Sequence, residues 1–143
     1  MLKRPLHPQF NAAVLAGHKF TTIRSKPWPV EVPIMLYNWA GAACRSNQTD
    51  VAVVKVTGYW PIKITQCQDG KMTYEAGMNI GVPLHQTEGF DSAAAMDSWF
   101  RLLVKPGQTI TKYLMRFHVS EISTPIACGR SGTLDAGMLV KST

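Results

Sequence analysis

The feature that most constrains the fold is an apolar run rich in β-branched residues, Val51–Trp60. Valine and threonine favour strands because their branched side chains pack well on a pleated surface. Pro61 follows and has no backbone N–H to give to a neighbouring strand. We therefore predict that the strongest strand of the chain ends at Pro61, with residues 62–65 as a continuation around a kink. A chain with such a strand folds around a sheet.

Three other segments are predicted to be strands: Lys19–Arg24, Pro33–Ala40 and Thr111–Ile122. The first is rich in β-formers and the second is mostly apolar, as a buried central strand would be. In the last, one face is expected to carry Tyr113, Met115, Phe117 and Val119. Between the first two, Ser25–Pro33 holds three prolines and is predicted to be an extended loop.

Two helices are expected. Phe10, Ala13, Val14 and Gly17 lie at helical spacing, and the proline before them suits a first turn. The second helix should begin at a cap formed by Asp91 or Ser92 and end before the Pro-Gly pair at 106–107. Its inward stripe is predicted to be Met96, Trp99, Phe100 and Leu103.

The remaining segments are expected to be irregular. Gly41–Asp50 reads as a surface turn, and Gln66–Thr87 as a long loop with one short hairpin or helical turn. We expect one domain over residues 1–122 and a C-terminal extension over 123–143 that is surface-packed or partly ordered. The order α-β-β-β-α-β, dominated by strands, predicts a small α+β domain with a curled sheet.

Composition narrows the functional classes. The 143 residues carry 15 Lys and Arg against 9 Asp and Glu, for a net charge of +6, which favours an anionic partner. The first residues lack the apolar core of a signal peptide, and no apolar run is long enough to span a membrane. Three unpaired cysteines and four histidines show no metal-ligand spacing. We expect a cytoplasmic protein without metal or cofactor.

The octet Gly17-His18-Lys19-Phe20-Thr21-Thr22-Ile23-Arg24 is the strongest candidate for function. It places two cations and two hydroxyls within six residues, and a strand needs none of them for packing. An acid must then come from elsewhere in the chain. In a flat strand, Lys19 and Thr22 would face opposite sides. Both can point into one pocket only if Lys19 lies in a turn before the strand, which Gly17 allows, or if a bulge intervenes.

Two motifs together resemble those of the ASCH family. Gly17, Lys19, Thr22 and Arg24 after a short helix are similar to its opening motif, and Glu88-Gly89-Phe90-Asp91-Ser92 entering a helix is similar to its second. The segments Tyr37-Asn38-Trp39 and Tyr113–Phe117 fit its strand order. The resemblance covers about residues 8–120 and implies a small curled, PUA-like β-barrel with two main helices packed on it.

The resemblance also implies a function. The family includes RNA-binding and RNA-cleaving members, and small bacterial amidohydrolases that deacetylate N4-acetylcytidine with a lysine, a threonine and a glutamate. These catalytic roles would fall on Lys19, Thr22 and Glu88. Arg24 would be a pocket cation, and Tyr37 or Trp39 would line the base site. Asn38 and His18, beside these motifs, complete the predicted substrate-binding set.

The chemistry leaves the roles of Lys19 and Glu88 open. An ordinary lysine is only ~0.04% neutral at pH 7, so a basic Lys19 needs its pKa lowered by about 3 units. Burial and Arg24 favour that shift, whereas a close Glu88 opposes it. In the other arrangement, Lys19 stays charged and stabilises the oxyanion while Glu88 moves protons. Without the family likeness, an ordinary surface ion pair between the two would be the simpler interpretation.

The leading hypothesis is therefore a protein that binds a modified nucleoside or RNA base and hydrolyses an acylated base amide. The alternatives are an RNA-binding module without catalysis and a metal-independent ribonuclease. The amidase requires Thr22, whereas a pure binder tolerates its loss. We expect no membrane partner, and a monomer or weak dimer.

Overall fold

The computed structural model describes residues 1–39, 48–77 and 81–122. Its strands are β1 (Leu2–Pro5), β2 (Thr21–Arg24), β3 (Ile34–Trp39), β4 (Gln48–Gln66), β5 (Met72–Ala76) and β6 (Gln108–Ile122). A short 3-10 helix (Pro8–Phe10) runs into α1 (Asn11–Leu15). The other helices are α2 (Leu84–Glu88) and α3 (Ala93–Arg101). None of the helices in the described ranges is long and apolar enough to cross a membrane.

The six strands form one mixed sheet in the order β1-β3-β4-β6-β2, with β5 paired to β4. The β1–β3 pair is parallel and the other pairs are antiparallel. The strands β1 and β2 stand at opposite ends of this order, so the sheet is open within the described residues. The predicted α+β class with a dominant sheet is confirmed, and the predicted closed barrel is not. The edge strand β1 was not expected from its short, charged sequence.

The strand β4 runs straight through Pro61, so the predicted end at that residue is wrong and the predicted continuation is correct. One side of β4 pairs with β6 along almost its whole length. The other side pairs with β3 up to Val54 and with β5 from Ile62 onward. Pro61 lies between these two partners, where β4 is locally an edge strand. Its missing N–H therefore costs no hydrogen bond with a neighbouring strand.

A register shift in the β4–β6 pair divides the core in two. Before the shift, Val54 and Val56 pack with Phe117 in a first cluster, which also contains Val14 of α1. The shift lies between Val56 and Gly58, and an extra residue there moves later side chains to the other face. Beyond it, a second cluster lies against α3 and comprises Ile62, Ile64, Met72, Met96, Phe100, Val104 and Leu114. Leu114 of β6 is thus buried although the predicted alternation placed it opposite the apolar face.

The helix α3 is shorter than predicted. Ser92 is its cap, because its hydroxyl accepts a hydrogen bond from the backbone N–H of Ala95 at 3.0 Å. Met96 and Phe100 are buried as expected. Leu103 is 52% exposed because the helix ends at Arg101, so its predicted inward position is wrong.

The segment 66–87, predicted to be a long loop with one short hairpin or helical turn, contains both a hairpin and a short helix. Residues 72–76 form β5, which makes a hairpin with β4, and residues 84–88 form α2. The proline-rich segment before β3 contains no strand of its own, and within it Trp28 is buried in the first cluster. The predicted C-terminal extension, 123–143, and most of the predicted surface turn lie outside the described residues.

Candidate active site

A cavity of about 490 Å³ opens where the edge strands β1 and β2 approach each other without pairing. Its polar residues include Lys19, Thr22, Arg24 and Glu88. Its apolar wall comes from the segment after β1 and from the end of β3, the α2–α3 turn and α3, through Leu6, Phe10, Trp39, Phe90, Trp99 and Phe100. The candidate site therefore lies where the sheet is open.

Lys19 reaches the cavity from the turn that precedes β2. Gly17 has a φ of 80°, and the backbone N–H groups of His18 and Lys19 both donate to the carbonyl oxygen of Ala13. This turn ends α1 and releases Lys19 from the alternation of the strand that follows. Lys19 and Thr22 can therefore line the same cavity, because Lys19 lies in a turn before the strand, as one of the two predicted arrangements requires.

The ammonium group of Lys19 is held by protein acceptors. Its Nζ donates to the carbonyl oxygens of Thr21 and Glu88, each at 2.7 Å. The Glu88 carboxylate oxygen Oε1 lies 3.8 Å from the same nitrogen, and the Phe10 ring centroid lies 4.9 Å from it. The Lys19 and Glu88 side chains are only 4% and 5% exposed, so the interpretation as a surface ion pair is wrong.

Glu88 is positioned at the end of α2 by its neighbours on β2. Its Oε2 accepts a hydrogen bond from Thr21 Oγ1 at 2.5 Å, and that hydroxyl also lies 2.9 Å from Thr87 Oγ1. The backbone N–H of Phe20 donates to the Thr87 carbonyl oxygen at 3.0 Å. Side-chain and backbone contacts thus fix α2 against the start of β2.

Thr22 and Arg24 lie on the same face of β2, two residues apart. Arg24 Nε donates to Thr22 Oγ1 at 3.0 Å, and Arg24 Nη2 donates to the Pro5 carbonyl oxygen at 2.9 Å. The guanidinium carbon also lies 4.8 Å from the centroid of the Trp28 ring. Arg24 thus connects the two edge strands through its side chain.

Burial lowers the pKa of both cations. Desolvation lowers the pKa of Lys19, the nearby Glu88 carboxylate opposes that change, and the charge of Arg24 adds to it. Desolvation also lowers the pKa of Arg24. The Glu88 carboxylate opposes this change, and the positive charge of Arg4 adds to it. Lys19 is therefore easier to deprotonate than an exposed lysine, as a general base requires.

The other predicted binding residues divide into one that lines the cavity and three that do not. Trp39 lines it and is 57% exposed. Tyr37 is buried with its ring edge-to-face on Trp39, at 5.5 Å between centroids. Asn38 is buried and bonded to Asn11 and to the Leu6 carbonyl oxygen. His18 is exposed and faces a separate groove.

Several residues of the site were not anticipated. Thr21 donates a hydrogen bond to Glu88. It belongs to the octet 17–24, but the threonine predicted as a site residue was Thr22, because Thr22 fits the family motif. Trp99, predicted to be core, is 36% exposed and lines the cavity. His7 also lines it, with its ring 5.7 Å from that of Trp99. Nothing in the sequence around His7 separates it from an ordinary surface histidine.

In the described ranges, no three His, Cys, Asp or Glu side chains are grouped so that they could hold a metal ion. The polar side chains on the cavity lining are those of a lysine, a threonine, an arginine, a histidine and a single carboxylate. Such a set suits proton transfer and nucleophilic attack on a carbonyl carbon.

No protein-family model matches the chain, and no curated protein matches its sequence. Among solved structures, the chain is similar to the crystal structure of a ZmASCH mutant protein from Zymomonas mobilis. The two are 10% identical with a TM-score of 0.48, and the match covers 94% of this chain and 78% of that one.

Proposed function

We propose that this chain is an ASCH-type protein that binds a nucleoside base and hydrolyses an acylated exocyclic amide, with N4-acetylcytidine as the substrate class. One observation carries the proposal. Lys19, Thr22 and Glu88 line a single cavity, and all three are almost fully buried. Burial of a lysine and a carboxylate is costly, so such a pair at a cavity is a candidate functional site.

Thr22 is the proposed nucleophile. Its Oγ1 accepts a hydrogen bond from Arg24 Nε, which leaves the hydroxyl proton for a base. The neighbouring positive charge also stabilises the alkoxide character that develops during attack. Attack on the acyl carbon forms a C–O bond and breaks the C–N bond. The amine leaves with a proton, and water then hydrolyses the acyl ester on Thr22.

Lys19 is the proposed base. Desolvation lowers the pKa of Lys19, which is the direction that this role requires. A neutral amine has two N–H groups, and Lys19 has two carbonyl acceptors at 2.7 Å. Its lone pair then remains to accept the Thr22 proton, which it later gives to the leaving amine. Glu88 stabilises the ammonium form that exists between these two transfers.

The apolar wall supplies the base-binding surface. Trp39 and Trp99 both line the cavity, and the two residues are 57% and 36% exposed. Aromatic faces of this kind stack on nucleobases. Phe10 and Phe90 hold Trp99 in place through edge-to-face contacts at 5.6 and 5.7 Å.

The test is incubation of the purified protein with N4-acetylcytidine, with release of cytidine followed by chromatography. The Lys19→Met variant should abolish release. Lys26→Met is the matched control, because Lys26 is an exposed lysine of the proline-rich loop outside the cavity lining. No release at high enzyme concentration would overturn this activity for this substrate.

The net charge of +6 favours a second function, RNA binding without chemistry. Thr22→Val separates the two functions, because hydrolysis needs the hydroxyl whereas binding is at most weakened without it. Cleavage of RNA would instead be recognised by strong salt dependence on long RNA.

A further inference from the structure

We propose that Arg24 and Arg4 form a phosphate-binding site beside the cavity, so that the substrate is a nucleotide rather than a free nucleoside. This inference rests on the proposed function and adds the substrate class to it. The phosphate belongs either to a mononucleotide or to an RNA backbone, and the two sources share the same chemistry. The geometry that points to this site is that of Arg24.

The guanidinium group of Arg24 is fixed in place by contacts that leave several of its N–H groups unused. It is held by Thr22 Oγ1, by the carbonyl oxygen of Pro5 and by the Trp28 ring. Arginine has five N–H donors, and these contacts occupy two of them. Within the described residues, the remaining donors have no protein acceptor. A side chain held in this way binds an oxyanion with little further loss of conformational freedom.

Within the described residues Arg24 forms no ion pair, although the Glu88 carboxylate acts to raise its pKa. Within the described ranges the ion pairs are Lys3 with Asp50 and Lys19 with Glu88, so Arg24 belongs to neither. Glu88 is the one carboxylate on the cavity lining, and it lies against Lys19. An acylated cytosine base is neutral and does not supply a negative charge to pair with Arg24.

Arg4 brings a second cation to the same place. It lies on β1 directly before Pro5, whose carbonyl oxygen binds Arg24. Its guanidinium Nη1 donates to the Lys3 carbonyl oxygen at 2.9 Å, and its positive charge adds to the desolvation that lowers the pKa of Arg24. Two neighbouring guanidinium groups repel each other, and a bound anion relieves that repulsion. Planar guanidinium forks bind phosphate and carboxylate in bidentate fashion, and phosphate is the one of these two anions that a nucleotide carries.

The experiment compares three substrates: N4-acetylcytidine, its 5′-monophosphate, and a dinucleotide in which the acetylated cytidine carries a 5′-phosphodiester. We expect kcat/KM for the phosphorylated forms to exceed that for the nucleoside by ~10- to 100-fold, the ratio set by one charge-assisted hydrogen bond. Arg4→Gln should reduce this ratio. Lys3→Gln is the matched control, since it removes a neighbouring β1 cation that pairs with Asp50, and it should leave the ratio unchanged.

The outcomes separate this inference from the proposed function. Equal kcat/KM for the nucleoside and both phosphorylated forms would overturn the phosphate site and leave the hydrolase intact. A preference for the monophosphate alone identifies a mononucleotide, and one shared by the dinucleotide identifies RNA.

If no substrate is hydrolysed, the proposed function fails and binding decides the inference. Titration calorimetry with cytidine and cytidine 5′-monophosphate should then show tighter binding of the nucleotide, reduced in Arg4→Gln and in Arg24→Gln. Equal binding of the two, or no binding of either, would overturn it. Circular dichroism establishes that Arg24→Gln is folded, and Arg4→Gln provides the test if it is not.

Discussion

Glu88 presents two separate groups to Lys19: its carbonyl oxygen lies 2.7 Å from Nζ, and its carboxylate Oε1 lies 3.8 Å from the same atom. The backbone contact is the shorter of the two and does not depend on the charge of Glu88. Lys19 is therefore positioned by the end of α2 even when it is neutral. The Glu88 carboxylate raises the pKa of Lys19, and the Glu88 carbonyl oxygen holds the Lys19 nitrogen in place.

Removing Lys19 should cost both activity and stability. In Lys19→Met, the buried Glu88 carboxylate loses its counter-charge, and breaking a buried ion pair from one side costs ~3–5 kcal/mol. Urea unfolding should show this loss. Adding Glu88→Gln should recover part of it, because the buried negative charge is then also gone. A double variant whose loss equals the sum of the single losses would contradict the pairing.

Stability should depend on pH through Lys19. Its pKa is lowered in the folded protein, whereas in the unfolded chain it is near the ordinary value of about 10.4. Between these two values the unfolded chain holds a proton that the folded protein has released, so the free energy of unfolding rises with pH. Below the folded pKa this contribution is flat.

The measurement is the difference in free energy of unfolding between the wild type and Lys19→Met at several pH values. The free energy of unfolding of the wild type should increase relative to that of Lys19→Met as the pH rises from the folded pKa of Lys19 toward about 10.4. Over the same rise, kcat/KM should increase as the neutral amine appears. Lys26→Met removes a lysine outside the cavity lining and is the control. A decrease of this difference with rising pH would contradict the lowered pKa of Lys19.

Thr21 should act as a positioning residue for Glu88. Its hydroxyl is fully buried and donates to Glu88 Oε2. Thr21→Val keeps the shape but leaves a buried carboxylate oxygen without its donor, at a cost of about 1–3 kcal/mol. Thr21→Ser restores the hydroxyl.

We expect Thr21→Val to shift the pH profile of kcat/KM, because an unheld carboxylate alters the titration of Lys19. Thr21→Ser should return the profile to that of the wild type. A loss of stability in Thr21→Val with an unchanged pH profile would mean that the hydroxyl is only structural.

Trp39 should contribute to binding and little to folding. Trp39 is 57% exposed and lines the cavity, so Trp39→Ala should weaken binding of cytidine by ~1–3 kcal/mol, the contribution of one stacked base. Trp28 is the contrasting residue because it is buried in the first core cluster. Trp28→Ala should lower the free energy of unfolding by ~3–5 kcal/mol. Calorimetric titration and urea unfolding measure the two effects, and an unchanged affinity in Trp39→Ala would remove it from the site.

The sequence predicted the chain-local features of this fold well. The strands β2, β3, β4 and β6 were recognised from their β-forming and apolar residues, and Ser92 was one of the two residues predicted as the helix cap. Leu103 was misplaced because the helix ends at Arg101, and no propensity marks that end. The strand was predicted to end at Pro61, but the proline is tolerated because β4 has a partner strand on one side only at that point, which the strand order reveals.

The site was predicted in its members more than in its arrangement. Lys19, Thr22 and Glu88 were named from two motifs, and the three line one cavity. Thr21 and Trp99 were missed because their contacts join residues far apart in the chain. Asn38 was predicted to bind substrate, but its amide is used between β3 and the segment after β1.

Gly89 should be required because of the space that Lys19 occupies. It has a φ of 89°, which L-residues rarely adopt, and a Cβ there would lie 3.0 Å from Lys19 Cδ and 3.1 Å from Phe10 Cδ1. Gly89→Ala therefore adds backbone strain of about 1–3 kcal/mol and also pushes the Lys19 side chain. Gly17→Ala separates the two effects, because Gly17 has a φ of 80° but nothing within 4 Å of its added Cβ.

Both glycine variants should lose stability in urea because both force alanine into the left-handed region, and Gly89→Ala should lose more because its methyl group also meets Lys19 and Phe10. Only Gly89→Ala should lose kcat/KM at a temperature where both are folded, because only there does the new methyl group meet Lys19. Equal losses of kcat/KM in the two variants would mean that backbone strain, and not the position of Lys19, limits the reaction.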